Sequence, residues 1–384
     1  MYDYLIIGAG VIGLNIAKVL ADMDNDAKIL VIEKESDVGF HASGRNSGVL
    51  HAGFYYTSNS LKAKFTKEGN AQLTRYCMEN DLKLNHTKKL VVVNDESELK
   101  TLQLLYDRGI KNGVDVRLVD EEWVDENFKN VKTYKQALYS PTTSTVDPLE
   151  ILQHIKQDLI QRDVEILFDT PYKRGEFRAK KIINCAGLYA DKIAKEFGFA
   201  KDYTILPFKG VYLKYTLQDQ PIDTNIYPVP NINNPFLGVH YTITVDDTIK
   251  IGPTAIPAFW RENYEGFKNF KLDEFLEILS FEARLFIKDS FGFRKLALQE
   301  SKKYHKSFFV SLAKDLVKDI NKEGFTKWSR PGIRAQLLNT KSLELLQDFV
   351  VEGDGSSVHV LNAVSPAFTS SMPFAKWVVE KYVL

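Results

Sequence analysis

Apolar positions along the chain keep two rhythms, and the places where one gives way to the other mark its elements. "YDYLII" is a short apolar strand, "GAGVIG" a glycine-rich turn opening the helix that runs on through "LNIAKVLA", and "KILVIEKE" the next strand. Strand, helix and strand together compose one βαβ unit. Asn59 to Cys77 reads as a helix with Leu61, Phe65, Leu73 and Tyr76 roughly on one side. "KLVVVND" predicts a strand and an Asn-Asp turn, followed by a helix near Glu96 to Asn112. "TVDPLEILQHIKQDLIQRD" predicts a helix with Pro148 just inside its start and Ile151, Leu152, Ile155 and Leu159 as its buried stripe. "VEILFD" and "AKKIINCAG" are strands either side of a very short connection.

Residues 203–260 become strand-rich, with Asp246-Asp247 marking a hairpin, and helical spacing returns from Phe270 to about Lys322. The last stretch closes as a strand, a loop and a helix, in which Ser365 and Pro366 are expected as N-cap and first helical residue. This final helix is expected to pack on the protein rather than graze a membrane through Phe374, Trp377 and Val378. No internal repeat or linker separates the regions, so the chain is expected to cross several times between two domains, one α/β and one built on a mostly antiparallel sheet.

Composition narrows the function. At 384 residues, 44% of them hydrophobic, the chain can bury a sizeable core. Fifty basic and fifty acidic residues cancel, which argues against nucleic acid or an anionic membrane surface as the main partner and favours a small molecule. The two cysteines, Cys77 and Cys185, lack zinc spacing and read as packed thiols in a reducing compartment, and no metal site is expected. The first residues enter a strand without a basic, cleavable leader, and no apolar run is long enough to span a bilayer. A cytoplasmic location follows as the expectation, with at most peripheral contact at the inner face of the cell membrane.

The first turn carries chemistry. Gly8, Gly10 and Gly13 form G-x-G-x-x-G between strand and helix, where glycines permit a tight turn and let the N–H groups of Val11 and Ile12 approach a pyrophosphate. Glu33, with Lys34 beside it, follows 20 residues after Gly13 at the end of the next strand, placed for a ribose diol. This Rossmann-like unit predicts a dinucleotide. NAD and FAD share such a cradle, but an enclosed flavin needs later segments to grip it, and three are present: "RNSGVLHAGFYY", "IINCAGLYAD" and "LNAVSPAFTSS".

Together these blocks resemble the FAD-dependent oxidoreductases of the D-amino-acid oxidase and glycine oxidase family. The likeness extends through "GRNSGVLHAGFYYTSNSLKAKF", "LPFKGVY", "IYPVP", "PFLGVH" and "PGIRAQ", and is nearest to the branch that oxidises L-2-hydroxyglutarate. The resemblance implies an FAD-binding domain of residues 1–84, 146–202 and 326–384, and a substrate-binding domain of residues 85–145 and 203–325. It implies that Gly44, Gly48 and Gly53 approach the flavin closely, that Arg45, Asn46 and Ser47 donate to it, and that Ala186, Gly187, Asn362, Ser365, Pro366, Ala367, Phe368 and Thr369 complete the FAD site. One departure stands out: "FDTPYKRGEFRAKK" is shorter than the hairpin that touches the adenosine end in relatives.

Oxidising a 2-hydroxy acid requires a base for the hydroxyl proton and a clamp for the carboxylate. Among seven histidines, His240 is the first candidate for the base and His51 the second, each also readable as a hydrogen-bonded structural residue. Arg334 in "PGIRAQ" matches the family's carboxylate-binding arginine, and Lys209, Tyr56 and Tyr241 are candidates for a distal carboxylate. The expected acceptor of electrons is oxygen or a quinone. An amino acid or secondary amine is the alternative substrate, and an FAD-stabilised, non-catalytic subunit the alternative class.

Overall fold

The computed structural model describes residues 1–231 and 236–384. Its first layer is a six-stranded sheet in the order Val350–Gly353, Ser357–Asn362, Ala179–Asn184, Tyr2–Ile7, Ile29–Ile32, Glu165–Leu167. All neighbours are parallel except the first pair. The buried run Ile29–Ile32 has every side chain inside, as a strand covered on both faces must. Helices Val11–Met23, Pro148–Gln161, Leu61–Glu79 and Ser371–Val378 cover one face through Leu14, Ile16, Phe65, Leu73, Ile155 and Phe374. Asp147 caps the helix Pro148–Gln161 by accepting from the Leu149 and Glu150 amides, with proline in the first turn as predicted.

The second layer is an eight-stranded sheet in the order Phe325–Trp328, Leu213–Tyr215, Ile249–Gly252, His240–Ile243, Asn225–Pro228, Lys89–Val92, Gln136–Ser140, Arg117–Asp120. It is antiparallel throughout, except where Asn225–Pro228 runs parallel to Lys89–Val92. Asp247 turns the hairpin between its third and fourth strands with φ +57°. The pleat divides this sheet chemically. Leu90, Ile226, Tyr241 and Ile251 face a core closed by Phe309 and Val310, whereas Lys89, Tyr227 and His240 take the opposite face. A three-stranded sheet of Ile256–Pro257, Tyr203–Gly210 and Gly332–Asn339 stands beside the two larger ones.

One predicted boundary is corrected. The last helix begins at Ser371, not after Ser365 and Pro366, because residues 365–370 form successive turns closed by bonds such as Ser370 N–H to Pro366 O at 3.0 Å. Phe374 and Val378 are fully buried, so that helix packs on the protein as expected.

Candidate active site

A cavity of about 930 Å³ lies between the parallel sheet and the polar face of the antiparallel one. At the parallel sheet its wall is the glycine turn. Gly8 has φ +103°, and a Cβ there would meet the Cys185 carbonyl oxygen at 2.7 Å; one on Gly13 would sit 2.0 Å from the Gly8 oxygen. Both glycines therefore serve close backbone packing. Gly10 differs, since a Cβ on it would meet only Ser43 Oγ, at 3.1 Å, and Gly10 lines the cavity with Val11 and Ile12. The helix starting there has no side-chain cap at Gly10 and no acid in its first turn. Its Val11 N–H donates to Ser43 Oγ at 3.0 Å, and that hydroxyl keeps its own proton for an anion. Bare backbone, helix dipole and a hydroxyl make a phosphate cradle.

Glu33 also lines the cavity, its carboxylate accepting from Ala9 N–H at 2.9 Å and Glu35 N–H at 3.1 Å. Glu35, His41 and Glu262 converge with metal-ligand spacing, but Lys34 pairs with Glu35 and, at 2.8 Å, with Glu262. A cation from the chain already balances that cluster. The shortened connection contributes Thr170, Pro171 and Tyr172 to the same wall.

The loop 41–49 lines the middle, and several predicted cofactor contacts there change role. Gly44 and Gly48 are not on the wall; a Cβ on Gly44 would strike the Gly39 oxygen at 2.2 Å, and one on Gly48 the Val146 oxygen at 2.5 Å. Gly53, φ +106°, packs against Thr66. Arg45 lines the cavity but donates to the carbonyls of Phe40 and Pro331 and lies 4.4 Å from the Tyr264 ring. Asn46 binds the Ala42 and Ser43 carbonyls and accepts from Gly48 N–H, so its amide shapes the loop. Ser47, Ala186 and Gly187 line the wall, as do Ser365, Pro366, Ala367, Phe368 and Thr369. Asn362 does not: it ties Leu337 N–H to the Leu346 and Asp348 carbonyls inside the protein.

The antiparallel sheet supplies a different chemistry. His240 stacks on Tyr227 at 3.7 Å, and His51 stands within electrostatic reach of it. The Nδ1 of His240 lies 2.9 Å from the Gly238 carbonyl oxygen, a bond only an N–H can make, which leaves Nε2 as an acceptor. Burial pushes His240 down to about 3 and His51 well below its usual range, so both rings are neutral at pH 7. Arg334, half-buried and pushed down to about 10 by desolvation, is oriented by its Nε donating to Gln336 Oε1 at 2.9 Å. Gln336 is itself held by the Leu346 carbonyl at 2.7 Å. No described side chain accepts from the terminal nitrogens of Arg334, which lies in the cavity wall facing Phe236.

Two substrate candidates fall outside this place. Tyr241 is one residue from His240 and therefore on the sheet's other face, fully buried beside Phe325. Lys209 alternates with Phe208 in its strand; Phe208 pairs with Arg334 and lines the cavity, while Lys209 turns away toward the charge of Glu265. Tyr56 is near enough to feel the Arg334 charge without forming the wall.

Sequence reasoning missed Ser43, Tyr227 and three buried lysines, Lys62, Lys89 and Lys250, each pushed down to about 7 by desolvation. Their signal is faint: Lys62 opens a helix and Lys89 and Lys250 lie in strands, and in each place a lysine reads as a solvated charge. Lys89 acts on both His51 and His240, Lys250 and Lys303 act on His240, and Tyr56 acts on Arg334.

Comparison with known proteins agrees with this geometry. The sequence model of the family described as FAD dependent oxidoreductase matches residues 3–381. The chain is 32% identical over 405 residues to an L-2-hydroxyglutarate dehydrogenase of Escherichia coli, covering 99% of this chain and 93% of that one. To the mitochondrial L-2-hydroxyglutarate dehydrogenase of Homo sapiens it is 33% identical over 423 residues, covering 99% and 88%. Among solved structures, the fold is similar to FAD-bound L-alpha-glycerophosphate oxidase from Mycoplasma pneumoniae, with TM-score 0.76, 20% identity, and 99% and 94% of the two chains covered. It is also similar to glycine oxidase from Geobacillus kaustophilus, with TM-score 0.71, 16% identity, and 100% and 94% covered.

Proposed function

The chain belongs to the FAD-dependent oxidoreductase family, and from that membership we propose that it oxidises L-2-hydroxyglutarate to 2-oxoglutarate. The observation that carries this reading is the donor set of the site: Arg334, whose guanidinium fork no described side chain shares, lines one cavity with His240 and His51, both neutral. Such a place suits an anionic hydroxy acid, whose carboxylate meets the guanidinium and whose hydroxyl meets a neutral ring.

FAD, when bound, supplies the acceptor for the hydride leaving Cα. The residues of the chain do the rest. Arg334, aimed by Gln336, grips the α-carboxylate in two-pronged fashion and so fixes the direction of Cα–H. Nε2 of His240 takes the hydroxyl proton, its ring locked in the accepting tautomer by the Gly238 carbonyl. His51 is the second candidate for that role. The glycine turn, Ser43 and Glu33 hold the dinucleotide, with residues 1–84, 146–202 and 326–384 as the FAD-binding domain and residues 85–145 and 203–325 as the substrate-binding domain. We further place the chain in the cytoplasm, at most in peripheral contact with the inner face of the cell membrane, with oxygen or a quinone taking the electrons. Among described residues no helix is long and apolar enough to cross a membrane.

The test is anaerobic mixing of the yellow, FAD-loaded protein with L-2-hydroxyglutarate, D-alanine, glycine and sarcosine side by side. Bleaching of the flavin absorbance by the hydroxy acid alone is expected. Bleaching by an amine instead would move the substrate class, and none at all would make the chain a binding subunit.

A further inference from the structure

One stretch of the substrate-binding region is fastened to the parallel sheet's side of the cavity. Residues 258–271 join the strand Ile256–Pro257 to the helix Leu272–Lys288 and fall within residues 203–325. Their side chains find partners elsewhere. Arg261, wholly buried, forks onto the equally buried Asp191 with contacts of 2.6 and 2.9 Å, and also donates to the Leu188 carbonyl. The next residue, Glu262, accepts from Lys34 Nζ at 2.8 Å. Tyr264 Oη lies 2.8 Å from His41 Nδ1, whose other ring nitrogen is 2.8 Å from Glu35, and the tyrosine ring lies 4.4 Å from the Arg45 guanidinium.

These anchors stand on both sides of the glycine turn. In the parallel sheet Tyr2–Ile7 runs between Ala179–Asn184 and Ile29–Ile32. Leu188 and Asp191 follow the carboxyl end of Ala179–Asn184, Lys34 and His41 follow that of Ile29–Ile32, and Gly8 and Gly10 follow Tyr2–Ile7 itself. A segment pinned beyond both neighbours spans the end of the strand between them, where parallel sheets bind dinucleotides. Glu262, Asn269, Phe270 and Lys271 accordingly line the cavity, together with Glu33 and Lys34. The segment is also braced within itself: Trp260 Nε1 donates to the Lys268 carbonyl at 3.0 Å, and Asn269 Nδ2 to the second carboxylate oxygen of Glu262 at 2.9 Å. One carboxylate thus joins the brace to the Lys34 anchor.

We infer that residues 261–271 are an FAD-binding strap, a piece of the substrate-binding region that closes over the adenosine diphosphate half of the cofactor and holds it in. Membership of an FAD-dependent family supplies the ligand, and the choice of substrate has no part in the inference. The strap's neighbours assign the half. Glu33, placed for a ribose diol, is next in sequence to the Lys34 that the strap holds, and the strap brings a carboxylate, an amide, an aromatic ring and an ammonium to the cavity wall, groups that suit ribose, adenine and diphosphate. The cofactor leaves only when the strap lets go.

The rate of FAD release tests this without any substrate. FAD-loaded protein is diluted until rebinding is negligible, and the rise of flavin fluorescence gives the rate. Glu262→Gln removes the ion pair to Lys34 at constant shape and should speed release about tenfold; Tyr264→Phe removes the bond to His41 while keeping the ring beside Arg45 and should speed it about threefold. Should one variant not fold, the other carries the test. Titration of the FAD-stripped proteins with ADP, which lacks the flavin, should show losses of affinity of similar size, and the Tm of each stripped variant should match that of stripped wild type. Release as slow as in wild type from both variants overturns the strap. Faster release with undiminished ADP binding overturns its placement on the adenosine diphosphate half. A Tm lowered in both stripped variants would make these contacts supports of the fold instead of the cofactor, and overturns the inference as well.

Discussion

Arg334 is held at one nitrogen by Gln336 and offers the others to the cavity, so its value to a substrate lies in direction as much as in charge. Lysine would retain the charge without the fork. A charge-assisted bond contributes about 1.5–3 kcal/mol, roughly 10- to 150-fold in kcat/KM, so Arg334→Ala should lose at least that much and Arg334→Lys a part of it, with FAD content unaltered. Steady-state kinetics with L-2-hydroxyglutarate decide the point; near-normal Arg334→Ala kinetics would take the residue out of the substrate site. For His240, replacement by alanine should slow flavin reduction about 10²- to 10⁴-fold, again with FAD retained. A larger loss in His51→Ala would exchange their roles. The pH profile has a definite sign. A histidine that protonates only at about 3 in the folded chain stays a base through the neutral and mildly acid range, so flavin reduction should show no His240 limb near pH 6.5. The unfolded ring does take a proton near that pH, so folding stability should decline as pH falls from about 6.5 toward 3. His240 and Arg334 were singled out because each sits in a block that resembles the family's, and both line the cavity. Tyr241 and Lys209 do not: in a strand one residue's step changes faces, and the sequence alone does not tell which of two adjacent polar residues looks into a cavity.

At the scale of elements, the glycine turn separates two jobs that the motif spells identically. Gly13 must lack a side chain for the helix to seat against its own strand, whereas Gly10 must lack one for what enters the cavity. Gly10→Val should therefore give a folded, colourless protein, with flavin absorbance lost and circular dichroism like that of the FAD-stripped wild type. Gly13→Ala should lower Tm as well as flavin content, because its Cβ would fall 2.0 Å from the Gly8 carbonyl oxygen. Equal Tm values for the two apo-variants would contradict that division. The βαβ unit and the major helices were readable because their apolar periods are long and their caps local, as Asp147 and Pro148 illustrate. The last helix was placed five residues early because serine followed by proline has the same composition at a helix start as in a run of turns. What separates the two is the set of carbonyls the following amides find, and that depends on packing.

The whole molecule works by facing two unlike sheets across one cavity, and the antiparallel one accepts a lasting cost to do so. Lys89 lies on its cavity-side face, fully buried, with Nζ 4.1 Å from the Tyr227 ring centroid and no hydrogen-bond partner among the described residues. Its strand neighbours are Ser140 and Asn225, and the Asn225 amide is committed to Thr87 and Lys88, so the ammonium gains little from the sheet itself. An unsatisfied buried donor costs about 1–3 kcal/mol, and more when charged. Desolvation brings Lys89 down to about 7 from an ordinary value of 10.5. Between those values the unfolded chain binds the proton more readily than the folded one, so stability should rise with pH from about 7 toward 10 and level off below 7. Lys62 and Lys250, pushed down in the same way, add to that slope. Lys89→Met keeps the length of the side chain and removes the ammonium. It should raise Tm at pH 7 by roughly 1–4 °C, since an unfolding entropy of about 2.1 cal/mol/K per residue makes 1 kcal/mol worth about 1.2 °C over 384 residues, and flatten the increase between pH 7 and 9 relative to wild type. Both are read from thermal unfolding of the FAD-loaded proteins across that range. A lowered Tm at pH 7, or an unchanged slope, would mean that the ammonium has an anionic or aqueous partner in the folded protein and contributes to its stability.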